Sequence, residues 1–219
     1  LPFTSISGKV ERNILDYTVQ LKDAKEKERF LIAGTLKNID GNNEVSLEPS
    51  YLLLNYESWK IAPENVISIG NKGIYVGDFD LSKAGSHIIV QSESKAVNAP
   101  IAIDFKDFDI NTLTSFVEKN DLQLSGKING NAKVKDLNTK PLFTSDLNIT
   151  DFAFKKDTVG NISITVNNTI PNQYDAKIAI TGQGNQVNLE GFYRAELSSF
   201  NLNLDIEKLN LKSIQGFTL

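Results

Sequence analysis

An all-β fold of antiparallel meanders is what this sequence predicts. Three observations predict it: alternation of apolar and polar residues, turn-forming clusters between the alternating runs, and scarce helical periodicity. Alternation is clearest from Leu122 onward. Leu122, Leu124, Gly126, Ile128, Gly130, Ala132 and Val134 are apolar or small, and Gln123, Ser125, Lys127, Asn129, Asn131 and Lys133 separate them. Successive strand side chains point to opposite faces, so one face is dry and the other wet. The same period returns over residues 143–149, which hold Leu147 and Ile149. It recurs at Ile162, Ile164 and Val166, at Ile178 and Ile180, at Val187 and Leu189, and at Phe200, Leu202, Leu204 and Ile206. Turn chemistry between these runs sits at residues 157–160, at 167–172 with Pro171, and at 182–185, where Gly182-Gln183-Gly184 reads as a hairpin.

The N-terminal part reads similarly. Strand candidates are residues 6–10, 16–21, 30–36, 45–54 and 66–69, and the charged stretch 22–29 reads as a solvated hairpin tip or strand edge. One helix candidate stands out, residues 111–119, with Leu113, Phe116 and Val117 at helical spacing and Asn111 or Thr112 able to cap.

An internal repeat is the next signal. IDFKDFDINTLTSF (103–116) aligns without a gap to LDIEKLNLKSIQGF (204–217), an offset of 204 − 103 = 101. Apolar positions coincide at Ile103/Leu204, Phe105/Ile206, Phe108/Leu209, Ile110/Leu211, Leu113/Ile214 and Phe116/Phe217, and Asp104 matches Asp205. Each copy is expected to run from a strand into a short helix. Ser7-Gly8-Lys9 and Ser125-Gly126-Lys127 form a second echo. A β-repeat array, in which each unit buries its apolar face against neighbours, fits these matches.

Composition narrows the function. The 219 residues carry 23 basic and 27 acidic side chains, net charge −4, which gives no electrostatic footprint for nucleic acid. With no cysteine there is no disulfide, thiol nucleophile or thiolate metal site. The single histidine, His87, beside Gly85-Ser86, reads as a turn or edge residue rather than a catalytic one. P-loop, GxSxG, HExxH, GxGxxG and EF-hand patterns are absent. Asp104, Asp107 and Asp109 alternate with Phe105, Phe108 and Ile110, which reads as a solvated strand face rather than a calcium loop. Trp59, the one tryptophan, reads as a partly buried anchor at a strand end. The expectation is therefore a chain that is not an enzyme, with no catalytic residue, no metal site and no cofactor. No apolar run approaches the roughly 18 residues of a membrane span. The chain begins at Leu1 and lacks methionine, which predicts a piece of a longer protein.

Taken together, certain residues resemble a family. Trp59 followed by Asn65-Val66-Ile67, then Ile74, Phe79-Asp80-Leu81, the run 88–90, Phe105, Phe108, Ile110, Leu113 and Leu124-x-Gly126-x-Ile128-x-Gly130 resemble the repeat of TamB-like translocation and assembly modules. Those modules belong to the AsmA-like superfamily, here of the Bacteroidota type. Residues 146–217, with Gly160-Asn161-Ile162-Ser163-Ile164 and Leu202-x-Leu204-x-Ile206, resemble the following repeat. The resemblance implies an elongated, curved antiparallel sheet, a taco-like trough with an apolar concave face and at most one or two short helices. It divides the chain into an N-terminal β-repeat portion (1–58), a TamB-like β repeat (59–134) and a following repeat truncated at the C-terminus (135–219).

The same resemblance implies a function. The chain is expected to be a periplasmic bridge segment whose hydrophobic groove conducts phospholipid between inner and outer membranes, supporting outer-membrane biogenesis and protein translocation. Expected partners are phospholipid acyl chains and, through the full-length protein, an Omp85-type outer-membrane barrel. No nucleic acid is expected, and membrane contact is expected only through parts absent from this piece, including an inner-membrane anchor. Groove candidates are Leu122, Leu124, Ile128, Val134, Leu147, Ile149, Ile162, Ile164, Val166, Ile178, Ile180, Val187, Leu189, Leu202, Leu204 and Ile206. Alternation equally suits a closed β-sandwich. The competing expectation is thus an extracellular or surface adhesin, or a glycan-binding module, with a dry core.

Overall fold

Where each alternating run ends, a turn residue lets the chain double back, and the result is all-β. A computed structural model describes residues 3–114, 123–168 and 170–217. The strands are β1 (Phe3–Glu11), β2 (Ile14–Lys22), β3 (Glu28–Ile39), β4 (Asn42–Leu54), β5 (Glu57–Ser58), β6 (Lys60–Ile61), β7 (Val66–Gly70), β8 (Gly73–Gly77) and β9 (Phe79–Lys83). They continue with β10 (Ser86–Ser92), β11 (Ile101–Asp109), β12 (Leu124–Lys135), β13 (Leu142–Phe154), β14 (Asp157–Asn167), β15 (Gln173–Gly182), β16 (Asn185–Arg194) and β17 (Ser199–Lys208). Among the described residues, helix is confined to α1 (Ile110–Thr114) and a 3₁₀ segment, Leu211–Phe217. Two large curved antiparallel sheets result, neither closed into a barrel. One runs β1-β2-β3-β4-β7-β8 with β5 beside β4; the other runs from β17 back through β9 to β6.

The chain forms two compact units, residues 1–103 with 135–139, and residues 104–134 with 140–219. In the first unit the core gathers Leu52, Leu54, Trp59, Ile61, Val76 and Leu81. Trp59 is more deeply buried than its expected role as a partial anchor, and its backbone N–H donates to the Leu52 carbonyl at 2.9 Å. The ladder between β3 and β4 passes from Gly34↔Leu47 to Ile32↔Leu52, so residues 48–51 stand out of it. Pro49 lies in that excursion, where its missing N–H takes nothing from the ladder.

The second unit is a meander whose core holds Phe108, Ile128, Ala132, Ile149, Phe152 and Val159. Its 3₁₀ segment is tied down by polar contacts: the Gly216 N–H donates to Asp157 Oδ2 at 2.7 Å, and Ser213 Oγ accepts from Asn185 Nδ2 at 2.8 Å. Gly130, at φ 120°, permits close strand approach, because a Cβ there would stand 2.1 Å from the Asp146 carbonyl oxygen.

The repeat is visible in local geometry. Both copies run from a strand into a short helical segment. Asp109 Oδ1 accepts from the Asn111 N–H at 2.9 Å, and Asn210 Oδ1, 101 residues later, accepts from the Lys212 N–H at 3.1 Å. Thr112 and Ser213 share that offset and are both buried. The matched Phe116 lies outside the described residues, as do residues 115–119 of the expected helix. One turn falls earlier than expected. The chain reverses at Lys155-Lys156, with Lys155 at φ 56°, so Asp157 already pairs with Phe154 inside the ladder. Asp157 reads as a turn residue in the sequence, yet its carboxylate instead holds the distant Gly216 amide.

Candidate functional site: an apolar sheet face

The candidate site follows from the pleat. Register places Leu147, Ile164, Ile178, Leu189 and Leu204 side by side across β13–β17. A second row, Ile149, Ile162, Ile180, Val187 and Ile206, lies two residues along. Ten of the sixteen candidates thus form two unbroken apolar rows on one face. With neighbouring strands about 4.8 Å apart, each row is about 19 Å wide. Val166 and Leu202 belong to a third row, which Ala176 and Gly191 interrupt.

Exposure along these rows is graded. Ile149 on β13 is 6% exposed, the residues of β14–β16 are half-buried, and on β17 Leu204 is 58% and Ile206 49% exposed. On β12, Ile128 is buried while Leu124 and Val134 are half-buried. Ile128 and Ile149 therefore serve the packing of the deep end, and the accessible surface is carried by β14–β17. Leu122 lies outside the described residues.

The opposite face is polar. Asp146, Thr165, Lys177, Glu190 and Asn203 form its matching row, and Lys177 Nζ lies 3.5 Å from Glu190 Oε2. A shallow hollow of about 390 Å³, lined by Thr165, Lys177, Glu190, Phe192 and Asn203, opens there. The first unit holds another, about 550 Å³, lined by Asp16, Tyr17, Glu48, Pro49, Tyr51 and Pro63. Burial raises the Tyr17 phenol above its ordinary pKa.

The first unit also carries an apolar row that the candidate set does not include. Val10, Leu15, Leu36, Val45, Ile67 and Val76 pair in sequence across β1-β2-β3-β4-β7-β8. Exposure falls from 69% at Val10 to 5% at Val76. Alternation at residues 6–10 and 66–69 was the signal for it. Each unit thus has an apolar row that is buried at one end and open at a terminal strand.

Buried asparagines hold the ends of these sheets, and the sequence reading did not single them out. Asn65 accepts from the Leu47 N–H at 2.7 Å and donates to the Leu47 and Ala62 carbonyls. Asn185 donates to the Val159 carbonyl at 2.7 Å and accepts from the Asn210 N–H at 2.7 Å. A carboxamide offers both donor and acceptor, so it completes a ladder where the backbone turns away.

Other candidates for chemistry are ordinary. His87 lies on β10, with Nδ1 3.2 Å from Asp80 Oδ1 at a partly exposed position. Asp104, Asp107 and Asp109 are exposed on β11. Among the described residues, no three His, Cys, Asp or Glu side chains converge on a metal-sized site. No described helix is long and apolar enough to cross a membrane. Comparison of the chain with protein-family models, with curated proteins and with solved structures found no match.

Proposed function

We propose that the apolar face of β14–β17 carries phospholipid acyl chains, the chain serving as a periplasmic segment that moves lipid between two membranes. The observation that carries this reading is the pair of unbroken, partly exposed apolar rows. Across β14–β17 they span three strand spacings, about 14 Å, which matches the depth of one leaflet, half of a roughly 30 Å hydrocarbon core. Moving an acyl chain into water costs about 0.8 kcal/mol per CH₂, roughly 12 kcal/mol for a palmitoyl-length tail. A face without specific hydrogen-bonding groups offsets that loss unselectively, as a conductor requires. The resemblance to TamB-like modules supports the envelope location, the Omp85-type partner and the role in outer-membrane biogenesis.

A photo-crosslinking residue at Ile164 or Leu204 tests the proposal. It should capture phospholipid in envelope preparations, while Thr165 and Asn203 capture little. Labelling that ignores the two-residue period would defeat the reading. The hollow beside Tyr17 and Tyr51 favours a second reading, a glycan-binding surface module, since aromatic faces and carboxylates are the groups a sugar would meet. Saturable oligosaccharide shifts in those tyrosine resonances, with no lipid captured, would establish it instead.

A further inference from the structure

The geometry points to β17 as an open pairing edge that takes up an added antiparallel strand of lysine-bearing, acid-free, alternating sequence. The internal repeat indicates what covers such an edge. β11 is the first copy of the element of which β17 is the second, and β11 lies between β10 and β12, whereas among the described strands β17 pairs only with β16. β12 is therefore the pattern of strand that this element accepts. Its sequence, LSGKINGNAKVK, alternates throughout and has three lysines and no carboxylate.

Charge is carried over in part. β11 presents Asp104, Asp107 and Asp109 beside Lys106, and β17 presents Asp205, matched to Asp104, and Glu207 beside Lys208. A side-chain tie is built into the first pairing: Asn129 of β12 accepts from the Asp107 N–H at 2.9 Å. Protection of the edge is confined to the charges at its C-terminal end, Asp205, Glu207 and Lys208. Free edges in natural sheets are usually blunted by proline, short length or inward-pointing charge. β17 has ten residues, no proline, and Phe200, Leu202, Leu204 and Ile206 as its exposed apolar side. Strand addition would supply backbone partners along the edge, and the alternating side chains would set register and face. The inference concerns the edge and does not depend on what the face carries.

The test adds a capped peptide of residues 123–135 to the full chain and follows backbone amide exchange across β17. Slowing of at least tenfold at alternate amides between residues 200 and 206, saturating with peptide and weakened by salt, is the expected result. A peptide bearing Lys127→Glu, Lys133→Glu and Lys135→Glu should bind at least tenfold more weakly. Unchanged exchange at every peptide concentration would overturn the inference, as would equal protection by the charge-reversed peptide. Protection appearing at β1 in place of β17 would also overturn it. Protection of β17 that rises with protein concentration alone would assign the edge to a second copy of the chain.

Discussion

Truncating one residue at each end of the apolar face separates an open face from a covered one. Leu204 on β17 is 58% exposed, so 100 − 58 = 42% of it is covered. Leu204→Ala removes three carbons at about 0.8 kcal/mol each; scaled to the covered fraction, the loss is about 1 kcal/mol. Ile149 on β13 is 6% exposed and also loses three carbons on truncation to alanine. Nearly the whole transfer term applies there, together with a cavity term, and Ile149→Ala should cost about 2–5 kcal/mol. Urea unfolding gives both values from the midpoint and slope. Far-UV circular dichroism is the signal to follow, because it reports the strands themselves, whereas Trp59 lies in the other unit. Ile164→Ala should fall between the two. Equal costs for Leu204→Ala and Ile149→Ala would refute the reasoning, since they would mean that β17 is covered in solution and the face is a closed core.

Three further outcomes follow from other parts of the structure. Asn185→Ala strands the Val159 carbonyl and the Asn210 amide, so it should cost at least ~1–3 kcal/mol by urea unfolding and speed exchange at Asn210. A loss below ~0.5 kcal/mol, typical of neutral surface changes, would show that the carboxamide is dispensable. Gly130→Ala places a Cβ against the Asp146 carbonyl at positive φ and should destabilise by at least ~1–3 kcal/mol, where an unchanged melting temperature would contradict the close approach. Asp23 accepts from the Tyr56 hydroxyl at 2.9 Å, which holds its carboxyl below the ordinary range and raises the phenol. The tie is present above the ordinary carboxylate pKa, is lost as pH falls through Asp23's lowered value, and is lost again as pH rises through Tyr56's raised value. NMR titration should show Asp23 rising toward the ordinary range in Tyr56→Phe, with the Lys25 and Lys27 amides still holding part of the depression, and an unmoved Asp23 would exclude the contact in solution.

Alternation made the strands and their faces legible because the side-chain period of two is local and needs no partner. The Gly182–Gly184 hairpin was legible for a related reason: Gln183 and Gly184 both take positive φ, at 53° and 81°. What covers a face is not local. Leu204 and Ile149 look alike in sequence, and only the order of strands makes one open and the other buried. The asparagines were hidden in composition, since Asn is common in turns here and nothing nearby marks Asn65 as inward-facing. Gly41-Asn42 and Gly184-Asn185 do share a step, a positive-φ glycine followed by a buried asparagine that starts a strand. That recurrence was the available signal. The turn at Lys155-Lys156 escaped because lysine is a poor turn marker, while Asp157 and Gly160 beside it are good ones.

From β13 to β16 each strand pairs with the strand before and after it in the chain, and β17 closes the series against β16. Direction alternates along such a meander, so parity governs any change of length. Excising β15 and β16 together would bring β14 against β17 in the same antiparallel sense, with Ile164 meeting Leu204 and Ile162 meeting Ile206, because both rows cross all four strands in step. Excising one strand alone would force a parallel contact, which needs a crossover of a dozen residues or more. A sheet of this kind lengthens or shortens in hairpin-sized increments of about 10 Å, two strand spacings, while its apolar stripe stays in line.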